Sequence, residues 1–390
     1  MDYSRLSLEM HEENQGKIDV HSKVKVETRD DLSIAYTPGV AEPCREIHKN
    51  EEDAYKYTAK GNLIAVVTDG TAVLGLGDIG PSAAMPVMEG KSILFKEFAD
   101  VNAVPICLDT TDVDEIVETV KRMSPTFGGI NLEDISAPRC FEVEKKLKEE
   151  LDIPIFHDDQ HGTAIVVSAA VINALKIVDK DFEDTKVVVN GSGAAGGAIV
   201  KMLLSLGIKD IIMCDSKGIV YKGSPTNNWI KEELAELTNK EGLQGDLKDA
   251  MVDADIFVGV SVADVVDEEM VKSMREDPII FAMANPVPEI FPDVAKKAGA
   301  KIVGTGRSDF ANQINNVSAF PGIFRGALDA RAKYISNRMN IAAAYAIANS
   351  VKDSDLTEEF IVPDALNKDV ANDVAKAVKK AAIDEGLSRI

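Results

Sequence analysis

From Lys186 the chain reads KVVVN, then GSGAAGGA, then an apolar stretch ending at Gly207, then IIMCD. A β-branched run, a glycine-rich turn, an apolar segment of helical length and a second apolar run predict strand, tight turn, helix, strand. Gly191-Ser192-Gly193-Ala194-Ala195-Gly196 matches G-x-G-x-x-G, and Asp215 ends the second strand nineteen residues after Gly196. In that setting the glycines admit backbone N–H groups to a pyrophosphate at the helix N-terminus, and the acid accepts from the adenosine ribose hydroxyls. A glycine turn without a ligand is the weaker reading, because strand, helix and acid are all in register. NAD and NADP both stay open: Asp215 favours a free 2′-hydroxyl, while Ser216 and Lys217, with Lys222 near, suit a 2′-phosphate.

Further apolar runs at 256–260, 279–284 and 301–304 alternate with segments of helical length such as 231–237 and 268–275. That alternation predicts a doubly wound parallel sheet. Upstream, LIAVVT (63–68), VPICL (104–108) and a helical periodicity over 114–123 make the first 150 residues α/β as well. Alanine-rich stretches at 342–351 and 372–382 read as closing helices. At roughly 100 to 200 residues per domain, 390 residues imply two or three domains. The turn-rich segments at 152–154 and 304–316 divide an α/β chain into two α/β domains. Residues 158–315 form a Rossmann-like nucleotide domain, inserted into a catalytic domain made of 1–157 with 316–390.

Aspartate and glutamate total 65 against 43 lysines and arginines, a formal charge of −22. A surface so acidic repels phosphate backbones and anionic lipid, so neither nucleic acid nor membrane is an expected partner. Cys44, Cys107, Cys140 and Cys214 are widely spaced with no C-x-x-C pair, which fits a reducing cytoplasm rather than a disulfide framework or zinc ribbon. No apolar segment near the N-terminus and no run of about 18 apolar residues is expected to direct export or span a membrane.

Two acidic pairs stand out, Glu133-Asp134 in GINLEDI and Asp158-Asp159 in FHDDQHGT. Adjacent carboxylates repel unless a cation or proton separates them, and oxygen ligands select hard ions, so Mg²⁺ or Mn²⁺ is the expected occupant. A solvated helix start is the plainer reading of each pair taken alone. His157 and His161 are four apart, as zinc ligands on a helix would be. The glutamate of H-E-x-x-H is missing, however, and Gly162 suggests a turn entering a helix. Lys91 follows Gly90 ahead of an apolar run and reads either as a solvated boundary lysine or as a desolvated base near a cation. Tyr36 precedes the rigid turn Thr37-Pro38-Gly39 and reads as a packed core ring or as a phenol aimed outward into a cleft. Asn285, closing an apolar run before Pro286, and Asn316 are amides at strand ends, where open α/β sheets bind small ligands. Turn formation is their ordinary use.

Taken together, YTPGV, VVTDGTAVLGLGD, MEGK, INLEDI, FHDDQHGTA, GSGAAGGA, MANPVPEI and INNVSAFPGIFRGALD resemble the short bacterial malic enzymes. The resemblance runs from about Leu8 to Asp329. It implies oxidative decarboxylation of L-malate to pyruvate and CO₂, with NAD or NADP as hydride acceptor and Mg²⁺ or Mn²⁺ as metal. By matching motif, Glu133, Asp134 and Asp159 look like metal ligands, Lys91 like the general base and Tyr36 like the acid that protonates the enol. Asp158 resembles the carboxylate beside the lysine, and Asn285 and Asn316 resemble substrate amides, Asn285 also lying against the cofactor. Larger members carry an arginine after TDG where this chain has Thr71-Ala72-Val73. The N-terminal extension of those members and the phosphotransacetylase-like tail of some bacterial ones are not expected, nor are their tetramers and allosteric sites. A homodimer is expected, closed two-fold oligomers being the commonest kind. Three rivals remain: malolactic conversion of malate to lactate on the same scaffold, a catalytically silent NAD-binding regulator, and an amino-acid dehydrogenase needing no divalent cation.

Overall fold

The computed structural model describes residues 2–390. Strands β1 (Leu63–Thr68), β2 (Asn102–Cys107), β3 (Gly129–Leu132) and β4 (Ile155–His157) form a parallel sheet of order β2-β1-β3-β4. Strands β5 (Lys186–Asn190), β6 (Asp210–Asp215), β7 (Gly218–Ile219), β8 (Ile256–Gly259), β9 (Ile279–Ala282) and β10 (Ile302–Thr305) form a second sheet of order β10-β9-β8-β5-β6-β7. This is the doubly wound nucleotide-binding order, whose direction reverses between β5 and β8. The short edge strand β7 departs from the expected all-parallel sheet by pairing antiparallel with β6.

Both sheets are buried on two faces, so their strands read as continuous apolar runs rather than alternating ones. In β1, Ile64 and Val66 face one core and Ala65 and Val67 another. The second core is closed by helices Val113–Met123 and Arg139–Glu150. The first holds Phe95 of helix Pro81–Ala99 and Phe320 and Phe324 of helix Phe320–Asp329, and it continues without a break into Val187 and Val189 of β5. Phe95 meets the other two rings edge-on at 4.7 and 5.3 Å between centroids.

Helix Asp158–Val178 runs through this joint, packed against helices Ala194–Ser205 and Asn337–Asn349. Contrary to the sequence reading, it begins at Asp158, so Gly162 is a helical residue and not an entry turn. A Cβ there would lie 1.9 Å from Asp158 Oδ1, so the glycine makes room for that carboxylate to fold back over the helix. An 18-residue window of this 21-residue helix reaches a mean hydropathy of 1.6, although Asp158, Asp159 and Lys176 break any wholly apolar run. Most of it is buried in the core.

The N-terminal segment is different. No residue of helices Tyr3–Asn14, Arg29–Ala35 or Ala41–Lys49 is buried. Leu8, Val20, Ile34 and Tyr36 are 74, 95, 74 and 67% exposed.

Candidate active site

Parallel strands deliver whatever follows them to one end of the sheet. Glu133 and Asp134 follow β3, Asp158 and Asp159 follow β4, and β3 and β4 are neighbours, so residues 25 apart in sequence converge. Glu133, Asp134 and Asp159 each present an oxygen within 4.8 Å of the others'. Asp134 adopts φ +53° and donates its backbone N–H to Asp159 Oδ2 at 2.8 Å, while its own Oδ2 is buried with no partner. Burial, then mutual repulsion, pushes Asp134 up to about 9 and Asp159 to about 6; burial lifts Glu133 to about 7 against the pull of Lys91. Three crowded carboxylates whose ionised forms are disfavoured, one with an orphaned oxygen, fit a hard divalent cation.

Lys91 is not a boundary lysine. It lies in the middle of helix Pro81–Ala99, 8% exposed, with Nζ 2.6 Å from Asp158 Oδ2, 2.9 Å from Glu133 Oε1 and 4.2 Å above the Phe320 ring. Burial alone would lower its pKa, but the two carboxylates outweigh that and hold it above the ordinary lysine value. Asn316 donates to the same Asp158 oxygen at 2.5 Å. The three carboxylates, Lys91, Asp158 and Asn316 therefore form one cluster.

The two histidines do not make a zinc pair. His157 ends β4, and His161 lies on the helix with Nε2 2.7 Å from Glu144 Oε1. Tyr36 is not joined to this cluster by any hydrogen bond among the described residues: it caps helix Arg29–Ala35 and is 67% exposed. It is not a packed core ring.

In the second sheet the fingerprint lies at the β5–β8 reversal. Gly191 takes φ +123°, a conformation costly for any side chain, and a Cβ on Gly196 would lie 1.7 Å from Gly191 O. A Cβ on Gly193 would meet nothing, so that side of the turn is open to a ligand. Helix Ala194–Ser205 has no side-chain cap, leaving the N–H groups of residues 194–196 free for a phosphate. Ala194 also packs against the first sheet's core, on the far side of the joint between the two sheets. Asn285 is exposed just beyond β9.

Several residues escaped the sequence reading. Lys231 Nζ lies 2.6 Å from Asp215 Oδ2, and Lys217 N donates to Asp215 Oδ1 at 2.7 Å. Asn131, fully buried on β3, donates to Glu133 Oε2 at 2.8 Å; an amide inside an otherwise apolar strand was its only signal. Where an arginine after TDG is missing, Arg139 of another element places Nη2 2.9 Å from both Asp69 Oδ2 and Thr71 Oγ1.

Comparison with known proteins places the chain in a family. Residues 15–148 match the family described as malic enzyme, N-terminal domain, and residues 160–383 match malic enzyme, NAD binding domain. The bifunctional malic/malolactic enzyme of Bacillus subtilis is 60% identical over 385 residues, covering 98% of this chain and 94% of that protein. The NAD-dependent malic enzyme of Geobacillus stearothermophilus is 57% identical, covering 96% of this chain and 78% of that protein. The crystal structure of the NAD-dependent malic enzyme of Thermotoga maritima superposes with a TM-score of 0.93 at 50% identity, covering 95% of this chain and 98% of that one. The chain belongs to the malic enzyme family.

Proposed function

We propose that this protein oxidises and decarboxylates L-malate to pyruvate and CO₂ with NAD or NADP as acceptor, and that Glu133, Asp134 and Asp159 hold the Mg²⁺ or Mn²⁺ it needs. The observation that carries the reading is the buried contact of Lys91 with Asp158 and Glu133 beside the three-carboxylate cluster. A divalent cation there supplies Lewis acidity that stabilises negative charge on the C2 oxygen. A dinucleotide held at the turn Gly191 to Gly196 would supply the acceptor for the C2 hydride.

Everything else falls to side chains. Lys91 receives the malate hydroxyl proton, held in line by Asp158 and Asn316, and Asn316 and Asn285 donate amide hydrogens to substrate oxygens. After the C3–C4 bond breaks and CO₂ leaves, Tyr36 gives a proton to C3, and the proton on Lys91 restores the phenol, so protons balance over the cycle. We assign residues 1–157 with 316–390 to the catalytic unit and 158–315 to the nucleotide unit. Free thiols at all four cysteines support a cytoplasmic setting. Malate with either cofactor should give NAD(P)H and pyruvate in equal amounts; lactate without net NADH would support the malolactic alternative, which the bifunctional Bacillus relative keeps in view. A regulator without catalysis would give neither.

The exposed position of Tyr36, on an unburied N-terminal segment that also exposes Leu8, Val20 and Ile34, supports a homodimer in which Tyr36 serves the partner's site. Mixing Tyr36→Phe with Lys91→Ala, each inactive alone, should then restore about a quarter of wild-type activity, since half of randomly mixed two-fold dimers carry one intact site. No recovery would place Tyr36 in its own subunit's site.

Lys231 offsets the charge of Asp215, so the acid rejects a 2′-phosphate less strongly. Lys231→Met should lower kcat/KM for NADP about tenfold more than for NAD. An equal effect on both would remove Lys231 from cofactor choice.

A further inference from the structure

Glu289 has no exposed surface and, among the described residues, no basic partner. Its Oε1 accepts from Ser261 N at 2.9 Å and from Ser261 Oγ at 3.5 Å, and its Oε2 accepts from Ala284 N at 2.9 Å. Ser261 Oγ in turn accepts from Asn190 Nδ2 at 2.8 Å. These contacts tie together the carboxyl ends of β5, β8 and β9, the last two residues before Gly191 and Asn285 being Asn190 and Ala284. The fit is close: a Cβ on Gly259 would lie 2.4 Å from Glu289 Cδ, so β8 ends in glycine where the carboxylate passes. Each oxygen accepts from a backbone N–H, which favours the ionised form against the burial that raises the carboxyl's pKa.

A buried carboxylate with only backbone and hydroxyl donors is costly as a mere tie, because amide groups would staple the loops without burying a charge. Its location suggests a use for the charge. In a doubly wound sheet the half that begins with the glycine fingerprint and ends at Asp215 takes the adenosine, so the half built from β8, β9 and β10 takes the nicotinamide. That ring is cationic in NAD⁺ and neutral in NADH. A fixed negative charge behind it favours the oxidised form, with little screening by water.

We propose that Glu289 is a positioning residue whose buried carboxylate sets the Ser261 and Asn285 loops and biases the crevice toward the oxidised cofactor. The inference rests on the dinucleotide lying in this crevice, which saturable quenching or enhancement of NADH fluorescence by the wild-type protein tests separately. The deciding measurement is the ratio of dissociation constants for NAD⁺ and NADH, by calorimetry and fluorescence, with the thermal midpoint recorded alongside. Glu289→Gln, which keeps the shape and loses the charge, should weaken NAD⁺ relative to NADH by about three- to tenfold. A tenfold change corresponds to about 30 mV in the potential of the bound couple. Glu289→Asp keeps the charge and loosens the tie, so it should weaken both forms together and hold the ratio within about twofold. Equal weakening of both forms in Glu289→Gln would reduce the residue to a structural staple. Should that variant not fold, a ratio altered in Glu289→Asp would overturn the proposal and a ratio preserved would support it.

Discussion

Lys91→Ala should lower kcat by about a thousandfold, within the range lost when a positioned base is removed, while the KM for malate changes far less. The substitution also leaves Asp158 and Glu133 without their common cation, both buried and within 2.6 and 2.9 Å of Nζ. Removing one member of such a buried pair costs about 3 to 5 kcal/mol, so the variant's thermal midpoint and its NADH affinity must be measured beside its rate. A folded, cofactor-binding variant without turnover identifies a chemical role. Turnover within about twofold of wild type would show that the hydroxyl proton leaves by another route. A lysine base would have to be neutral to act, yet Glu133 and Asp158 hold the resting lysine charged. A divalent cation on Glu133 would compete for one of these two carboxylates and so favour proton release from Lys91.

The second large effect concerns pH and metal together. Glu133, Asp134 and Asp159 all have pKa values above those of the unfolded chain, reaching about 7, 9 and 6, first because they are buried. A raised folded pKa favours the native state while the group is protonated, so that contribution is complete below about pH 4 and is lost as pH rises through those values. Without metal, the cluster's contribution to stability should therefore fall between about pH 5 and 9. Mn²⁺ binds the deprotonated ligands and should reverse the trend, raising the melting temperature more at pH 8 than at pH 6. At a hundredfold excess over Kd the gain is about 2.7 kcal/mol. Asp134→Asn should abolish the metal-induced shift and flatten the metal-free slope. A Mn²⁺ shift that is independent of pH would mean that other groups hold the ion.

How much of this could be read in advance follows from what is local. Gly191 to Gly196 and Asp215 were legible because turn, helix start and strand end lie within a few dozen residues and each has its own residue preference. The acidic pairs were legible as residues but not as a cluster, since their meeting depends on β3 lying beside β4. Lys91 was undecidable because a helix of mixed composition hides which turn faces the core; its partners Glu133, Asp158 and Phe320, all distant in sequence, reveal it. The start of helix Asp158–Val178 was misjudged because glycine usually marks a turn, whereas Gly162 is there to accommodate Asp158 Oδ1. Lys231, Arg139 and Glu289 were missed for one reason: each acts through a partner on another element, and charged residues in helices and loops are ordinarily solvated. Tyr36 carries the opposite lesson, since its motif announced a role that its place on the exposed N-terminal segment does not complete within one chain.

The central claim is that three carboxylates hold a divalent ion without which malate is not converted. Mn²⁺ titration followed by electron paramagnetic resonance, with pyruvate assayed in the same samples, tests it directly. The expected result is one tightly held ion per chain, its loss in Asp134→Asn, and pyruvate formation that stops on chelation and returns with added Mn²⁺. Undiminished pyruvate formation by the chelated wild-type protein would contradict it.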